Sequence, residues 1–216
     1  ERHSKASPVE VLSEKLRLLL VAGSANHEFQ ILRNALIRDK TIDVSCWLQS
    51  ADPKFPQDGD EKVRLERLPE ERTEFEPYDV VVLMDPDSSK LTPAFCRNLA
   101  QHVVEGGAGL WWVAGEKYTL DAVRPTAVSQ PLAELLPIVP DIDKAEREII
   151  GFGKVFKFPW RYQLTPEGEE GLGAKLTRLV DSRDRSRVLW GALPGFHFGF
   201  PVLRAKPAAT VLAEHP

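Results

Sequence analysis

Two short apolar runs, each bounded by turn residues, limit what this chain can fold into. Leu16-Arg17-Leu18-Leu19-Leu20-Val21-Ala22-Gly23 and Asp79-Val80-Val81-Val82-Leu83-Met84-Asp85 carry almost no polar interruption. A strand with one wet face would alternate apolar and polar residues. A nearly continuous run suits a strand covered on both faces, as in a parallel sheet flanked by helices. Ile42 to Leu48, β-branched at Ile42 and Val44, and Leu110-Trp111-Trp112-Val113-Ala114, ended by Gly115, supply two further strands.

Helices are expected between them. His27 to Asp39 places Phe29, Leu32, Ala35 and Leu36 on one stripe. Thr92-Pro93 opens a second helix, with threonine as cap and proline at the first position, where its missing N–H costs nothing. Phe95, Leu99 and Val103 follow at every fourth residue, and Gly106-Gly107 stops the helix. The order strand, helix, strand, loop, strand, helix, strand predicts an α/β fold: an open parallel sheet with right-handed crossovers and helices on both faces.

Other segments are less regular. Residues 1–15 are polar, contain Pro8 and read as a tail or linker, so that residues 16–216 form one domain. Residues 50–77 are charged and proline-bearing, with a short helix expected around Glu61 to Leu65. This stretch is too polar for core and is expected over one sheet edge. Pro131 to Leu136 reads as a short helix. Beyond Pro140 the pattern changes, and residues 140–205 read as an insert or a small β-containing C-terminal extension. Phe152 to Leu164 alternates like a hairpin or an inserted strand pair. Thr165-Pro166 opens a weak helix through Leu172, Leu176 and Leu179. Val188 to Trp190 and Thr210 to Ala213 are expected late strands.

A net charge of −4, with Lys and Arg scattered, argues against a nucleic-acid or anionic-membrane surface. No apolar run approaches the roughly 20 residues that cross a bilayer. Cys46 and Cys96 are too few for a disulfide framework or a zinc site, and so leave the compartment open. The chain opens on Glu1 and reads as a fragment of a longer protein.

Several stretches together carry a family resemblance. They are Leu18 to Gly23 followed by His27-Glu28-Phe29; Tyr78-Asp79-Val80-Val81-Val82-Leu83; Leu91-Thr92-Pro93; and Glu105-Gly106-Gly107-Ala108-Gly109-Leu110. In order and spacing the chain resembles the flavodoxin-like, class I glutamine-amidotransferase-like superfamily. It is most similar to the trehalose-utilisation (ThuA-like) proteins and to the amidotransferase-like domain of bacterial membrane proteins that also carry a von Willebrand factor A domain. Leu132-Ala133-Glu134-Leu135-Leu136-Pro137, Leu164-Thr165-Pro166-Glu167-Gly168 and Lys206-Pro207-Ala208-Ala209-Thr210-Val211-Leu212-Ala213 resemble the second of these. The resemblance implies the soluble part of a membrane-anchored protein that binds a small molecule or a protein partner.

Family members that perform amidotransferase chemistry use a cysteine on a strand-to-helix elbow, within Gly-x-Cys-x-Gly. The elbow exposes the thiolate and aims backbone N–H groups at the developing oxyanion. The corresponding place here is Ala114-Gly115-Glu116-Lys117-Tyr118-Thr119, with neither Cys nor Ser. Gly115, Glu116 and Lys117 form a pseudo-elbow, which implies a pseudoenzyme. Cys46, inside a strand, and Cys96, in the first turn of a helix, read as small core residues.

Binding candidates gather where open α/β sheets hold ligands, at the carboxyl ends of the strands. They are Gly23, Ser24, His27, Asp85, Glu116, Tyr118 and His197. Gly23-Ser24-Ala25-Asn26 could form an anion nest, but no nucleotide fingerprint accompanies it and no cofactor is expected. His27 could contact a ligand or be an exposed helix start behind the cap Asn26. His197, in an aromatic loop, could reach the same edge or simply pack. His102 reads as a helix-surface residue. Asp85, Asp87 and Ser88, with Asp52, Asp58 and Asp60 in the acidic loop, could attract a hard cation. The spacing at 58 to 60 is no EF-hand, a solvated turn is the favoured explanation, and no metal is expected. Trp111 and Trp112 face opposite sides of their strand, and both read as core. A surface cluster of Trp160 with Phe198 would mark a partner patch. A ThuA-like hydrolase or carbohydrate-related enzyme using His27, Glu116, Asp85 or a metal is the rival reading.

Overall fold

The computed structural model describes residues 15–52, 57, 59, 63–150, 159–170 and 173–215. The expected tail, the Glu61 start of the expected loop helix, Asp58, Asp60, Leu172 and most of the expected Phe152–Leu164 strand pair lie outside the described residues.

Strands β1 (Leu16–Ala22), β2 (Ile42–Leu48), β3 (Val80–Met84) and β4 (Gly109–Val113) form one sheet in the order β2-β1-β3-β4, with every neighbouring pair parallel. This is an open sheet of the flavodoxin-like kind, whose order reverses between β1 and β3. Helix α1 (His27–Arg38) and helix α3 (Pro93–Gly106) flank it, and helix α2 (Arg72–Phe75) precedes β3. The capping expectations hold. Asn26 accepts from the Phe29 N–H at 2.8 Å and Thr92 from the Phe95 N–H at 3.1 Å. Gly107 ends α3 at φ 76°, a conformation glycine adopts freely.

The strand register explains the apolar runs. Leu20 stands between Cys46 and Val82, and Val82 beside Trp111; Val21 stands between Trp47 and Leu83, and Leu83 beside Trp112. Alternate residues therefore feed two cores. Leu18, Leu20, Ala22, Val44, Cys46, Val82 and Met84 pack with Phe29, Leu32 and Leu36 of α1. Leu19, Val21, Val81 and Leu83 pack with Phe75, Phe95, Leu99 and Leu132 on the opposite face. Phe75 and Phe95 meet edge to face, ring centroids 5.5 Å apart.

Several expectations need correction. Trp112 packs on the α3 face, but Trp111 is 51% exposed, because the α1 stripe covers β1, β2 and the near side of β3 and leaves this edge-strand residue open. The polar stretch 50–77 is not wholly outside the core. Phe75 is buried, Leu65 and Leu68 pack against the same core, Gln57 caps the Leu48 N–H at 2.8 Å, and Gly59 bridges Ser45 on the outer edge of β2. His102 is buried rather than on the surface. Its Nε2 lies 2.8 Å from the Tyr78 carbonyl oxygen and its ring leans on Phe75.

The C-terminal third is built from short pieces. β5 (Ile138–Pro140) pairs antiparallel with β7 (Val202–Ala205), and β6 (Gln163–Leu164) with β8 (Ala213–Glu214). Helices α4 (Thr119–Ala122), α5 (Gln130–Ala133), α6 (Ile142–Ala145), α7 (Pro166–Glu169), α8 (Ala174–Thr177) and α9 (Arg183–Ala192) lie between or beside them. Val188 to Trp190 is helical, not a strand, because Ser182 caps α9 and Asp184 favours its first turn. The weak helix after Thr165 is two separate turns, α7 and α8, with Leu176 82% exposed instead of lining a buried stripe.

Phe95→Ala empties a fully buried site at the centre of the α3 face and is expected to cost about 3–5 kcal/mol. Ile31→Ala, on the exposed side of α1, should change stability by less than about 0.5 kcal/mol. Urea unfolding of the two variants checks the contrast.

Candidate functional site

The reversal between β1 and β3 brings Gly23, Asp85 and the turn after β4 together at the carboxyl edge. Asp85 follows β3 directly and is 5% exposed, with φ at 42°. Aspartate tolerates this left-handed conformation better than most residues because its short side chain bonds locally. The conformation continues the sheet ladder, as the Asp85 N–H donates to the Val113 carbonyl at 2.8 Å. Its carboxylate accepts four hydrogen bonds from one turn. The backbone N–H groups of Lys117, Tyr118 and Thr119 donate at 3.2, 3.0 and 2.7 Å, and the Thr119 hydroxyl donates at 2.8 Å. The same hydroxyl accepts from the Gly115 N–H at 2.8 Å. Asp85 thus caps α4 from a different strand, supplying the acceptor that α4 lacks in its own flanking residue.

Two glycines make this approach possible. A Cβ on Gly115 would lie 2.5 Å from the Asp85 Cγ, and one on Gly23 would lie 2.1 Å from the Asp85 carbonyl oxygen and 2.6 Å from the Tyr118 ring. The Tyr118 ring therefore occupies the space over Gly23. Gln49, buried at the end of β2, closes the next gap. Its amide accepts from the Asp87 N–H at 2.8 Å and donates to the Asp87 carbonyl at 3.0 Å.

Gly23, Asp85, Gly115, Lys117 and Tyr118 meet as the sequence reading placed them. Ser24 adjoins this corner, while His27 and Glu116 are exposed. Two donors of the expected nest are engaged within the chain, the Gly23 N–H by the Met84 carbonyl at 3.1 Å and the Asn26 N–H by the Ser24 carbonyl at 3.0 Å. His197 lies in the loop next to Phe196, which bridges Trp160. Asp87 is spent locally, its Oδ1 accepting from the Ser89 N–H and hydroxyl. Among the described residues no group of three or more His, Cys, Asp or Glu side chains is placed to hold a metal ion.

Lys117 reaches over the Tyr118 ring at 4.8 Å. The Tyr118 hydroxyl beside it, then the charges of Asp85 and Asp87, raise its ammonium above the usual lysine value, so it stays protonated and is no nucleophile. The two thiols are equally unsuited. Cys46 and Cys96 are buried, and burial pushes Cys96 up to about 12. Thr119, fully buried, escaped the sequence reading. Its one available signal was a hydroxyl at the start of a short helical segment, read as part of the elbow and not as a cap.

Comparison with protein-family models, curated proteins and solved structures yields no match.

Asp85→Ala leaves three N–H groups and a buried hydroxyl without their acceptor and is expected to destabilise by about 2–4 kcal/mol. Asp85→Asn keeps one accepting oxygen and should lose less. Thermal melts order the pair, and an Asp85→Ala protein as stable as the parent would refute this account of the corner. Iodoacetamide at pH 8 should leave both cysteines of the folded chain unmodified and label both in denaturant, as read by mass spectrometry.

Proposed function

We propose that the chain is a non-catalytic, class I glutamine-amidotransferase-like domain that serves as a ligand- or protein-binding module of a larger, membrane-anchored bacterial protein. The observation that carries this reading is the fate of the pseudo-elbow donors. Acyl transfer needs a nucleophile at the turn and free N–H groups aimed at the oxyanion. Here the turn offers Glu116 and Lys117, and the N–H groups of Lys117, Tyr118 and Thr119 are engaged by Asp85. A carboxylate already stands where developing negative charge would need those donors. No second anion can share them without removing Asp85.

The rival hydrolase reading asks Asp85, His27 and Glu116 to converge. Asp85 is turned inward and saturated, whereas the other two are exposed to solvent. Support for a binding role comes instead from a rigid carboxyl edge, held by Asp85 and Gln49, that presents the outer side chains Ser24, His27, Glu116 and Lys117.

Incubation with glutamine, with ammonia read by a coupled assay, should show no release above the protein-free blank. The Glu116→Cys variant should be equally silent, because a restored thiol still faces occupied donors. Turnover by the parent chain would overturn the non-catalytic reading. Turnover by the variant alone would overturn the claim that Asp85 blocks the oxyanion position.

A further inference from the structure

The C-terminal third holds an open cavity of about 540 Å³, within the roughly 300–1,000 Å³ of small-molecule sites. Both antiparallel ribbons contribute to it. Ile138 of β5, Val202 and Ala205 of β7 and Val211 before β8 line it, and Trp160 and Tyr162 supply aromatic wall. These rings brace one another: Trp160 meets Tyr162 at 4.5 Å and His215 at 4.3 Å between centroids, and Phe196 backs Tyr162 at 4.8 Å. Gly199 lets the chain pass the Trp160 ring, where a Cβ would lie 2.7 Å from Cζ2. Two lining residues are apolar yet open, Val202 at 45% and Val211 at 39% exposure. An apolar body seated here would take from water a surface that the fold itself leaves wet.

The charge around this apolar lining is one-sided. Lys144 stands 3.9 Å from Glu148, so those two offset each other. Glu214 of β8 also lines the cavity, is exposed, and forms no salt bridge among the described residues. Burial raises the Tyr162 hydroxyl above its usual value, so the phenol stays neutral and adds no charge of its own. Among the formally charged side chains of the lining the balance is therefore negative. The uncompensated carboxylate stands at an exposed position, where a cation can meet it without giving up all its water.

We propose that this cavity binds an organic monocation, with a small apolar body against Val202, Val211 and the Trp160–Tyr162 wall and an ammonium group on the Glu214 carboxylate. A neutral molecule of the same shape gains the apolar contacts alone, and an anion is repelled by Glu214. The inference rests on the cavity and its charge and is independent of the amidotransferase-like reading.

The test titrates the full ¹⁵N-labelled chain at low salt with three probes of one shape: 2-phenylethylammonium, 2-phenylethanol and 3-phenylpropionate. The ammonium should shift the amides of β7 and β8 saturably at one site. It should bind about threefold more tightly than the alcohol, the value of one exposed ion pair, and 3-phenylpropionate should bind most weakly. Glu214→Gln, an exposed change that leaves the fold intact, should bring the ammonium and the alcohol to equal affinity. Ala205→Trp, which fills the cavity, should abolish the shifts of all three while the rest of the spectrum stays dispersed. If that variant fails to fold, the parent chain and Glu214→Gln decide between them. Unmoved amides in β7 and β8, an ammonium that binds no better than the alcohol, or an advantage that survives Glu214→Gln would overturn the proposal.

Discussion

The carboxylate of Asp85 holds the carboxyl edge together. It stands at the end of β3, beside the point where the strand order reverses, and accepts from three consecutive backbone N–H groups and one hydroxyl. In a buried setting such charge-assisted bonds are stronger than neutral ones, and their loss leaves several unsatisfied donors at once. The turn after β4, the start of α4, the packing of Tyr118 over Gly23 and the absence of a Cβ at Gly115 all follow from fitting that one group into place. The left-handed backbone of Asp85 is the local strain this geometry requires.

The main sheet was legible because its signals are local and redundant. Leu18 to Ala22 and Val81 to Met84 are buried on both faces, so their side chains could be apolar without interruption, and flanking residues added caps at Asn26 and Thr92. Trp111 misled because periodicity tells which side of a strand a residue faces, not whether a helix covers that side. His102 misled for the opposite reason. Its helical position looked polar, but the Tyr78 carbonyl offers it a buried acceptor from another element, which no local pattern can show.

The C-terminal third was poorly legible because its structure is made of long-range pairings between short pieces. β6 and β8 contribute two residues each, and they lie far apart in the chain. β5 pairs with β7 across a shifted register. Neither ribbon carries an alternation long enough to read, and two-stranded ribbons gain stability from what packs on them more than from their own sequence. At Val188 to Trp190, three adjacent apolar residues looked like strand, while the capping serine six residues earlier set a helix. At the carboxyl edge, the positions of Gly23, Asp85, Gly115 and Tyr118 could be read from their places after strands. That Asp85 turns inward could not, since it depends on donors 32 to 34 residues away.

Stability and acyl-transfer chemistry are opposed at this corner. A working elbow leaves its N–H groups unmet in the resting state, a local cost carried so that they can meet charge in the transition state. In this chain the N–H groups of Lys117, Tyr118 and Thr119 are satisfied by Asp85. Adding a thiol would supply one part of such machinery and leave these donors occupied. Removing Asp85 frees the donors and takes away the acceptor that starts α4, together with the partner of buried Thr119. The two changes must come together, with a compensating cap for α4, before the edge could turn over a substrate. Under the proposed reading, the filled corner is a stable endpoint: the carboxylate that starts α4 also holds the donors that acyl transfer would use, and the outer side chains of the edge are left to meet a ligand.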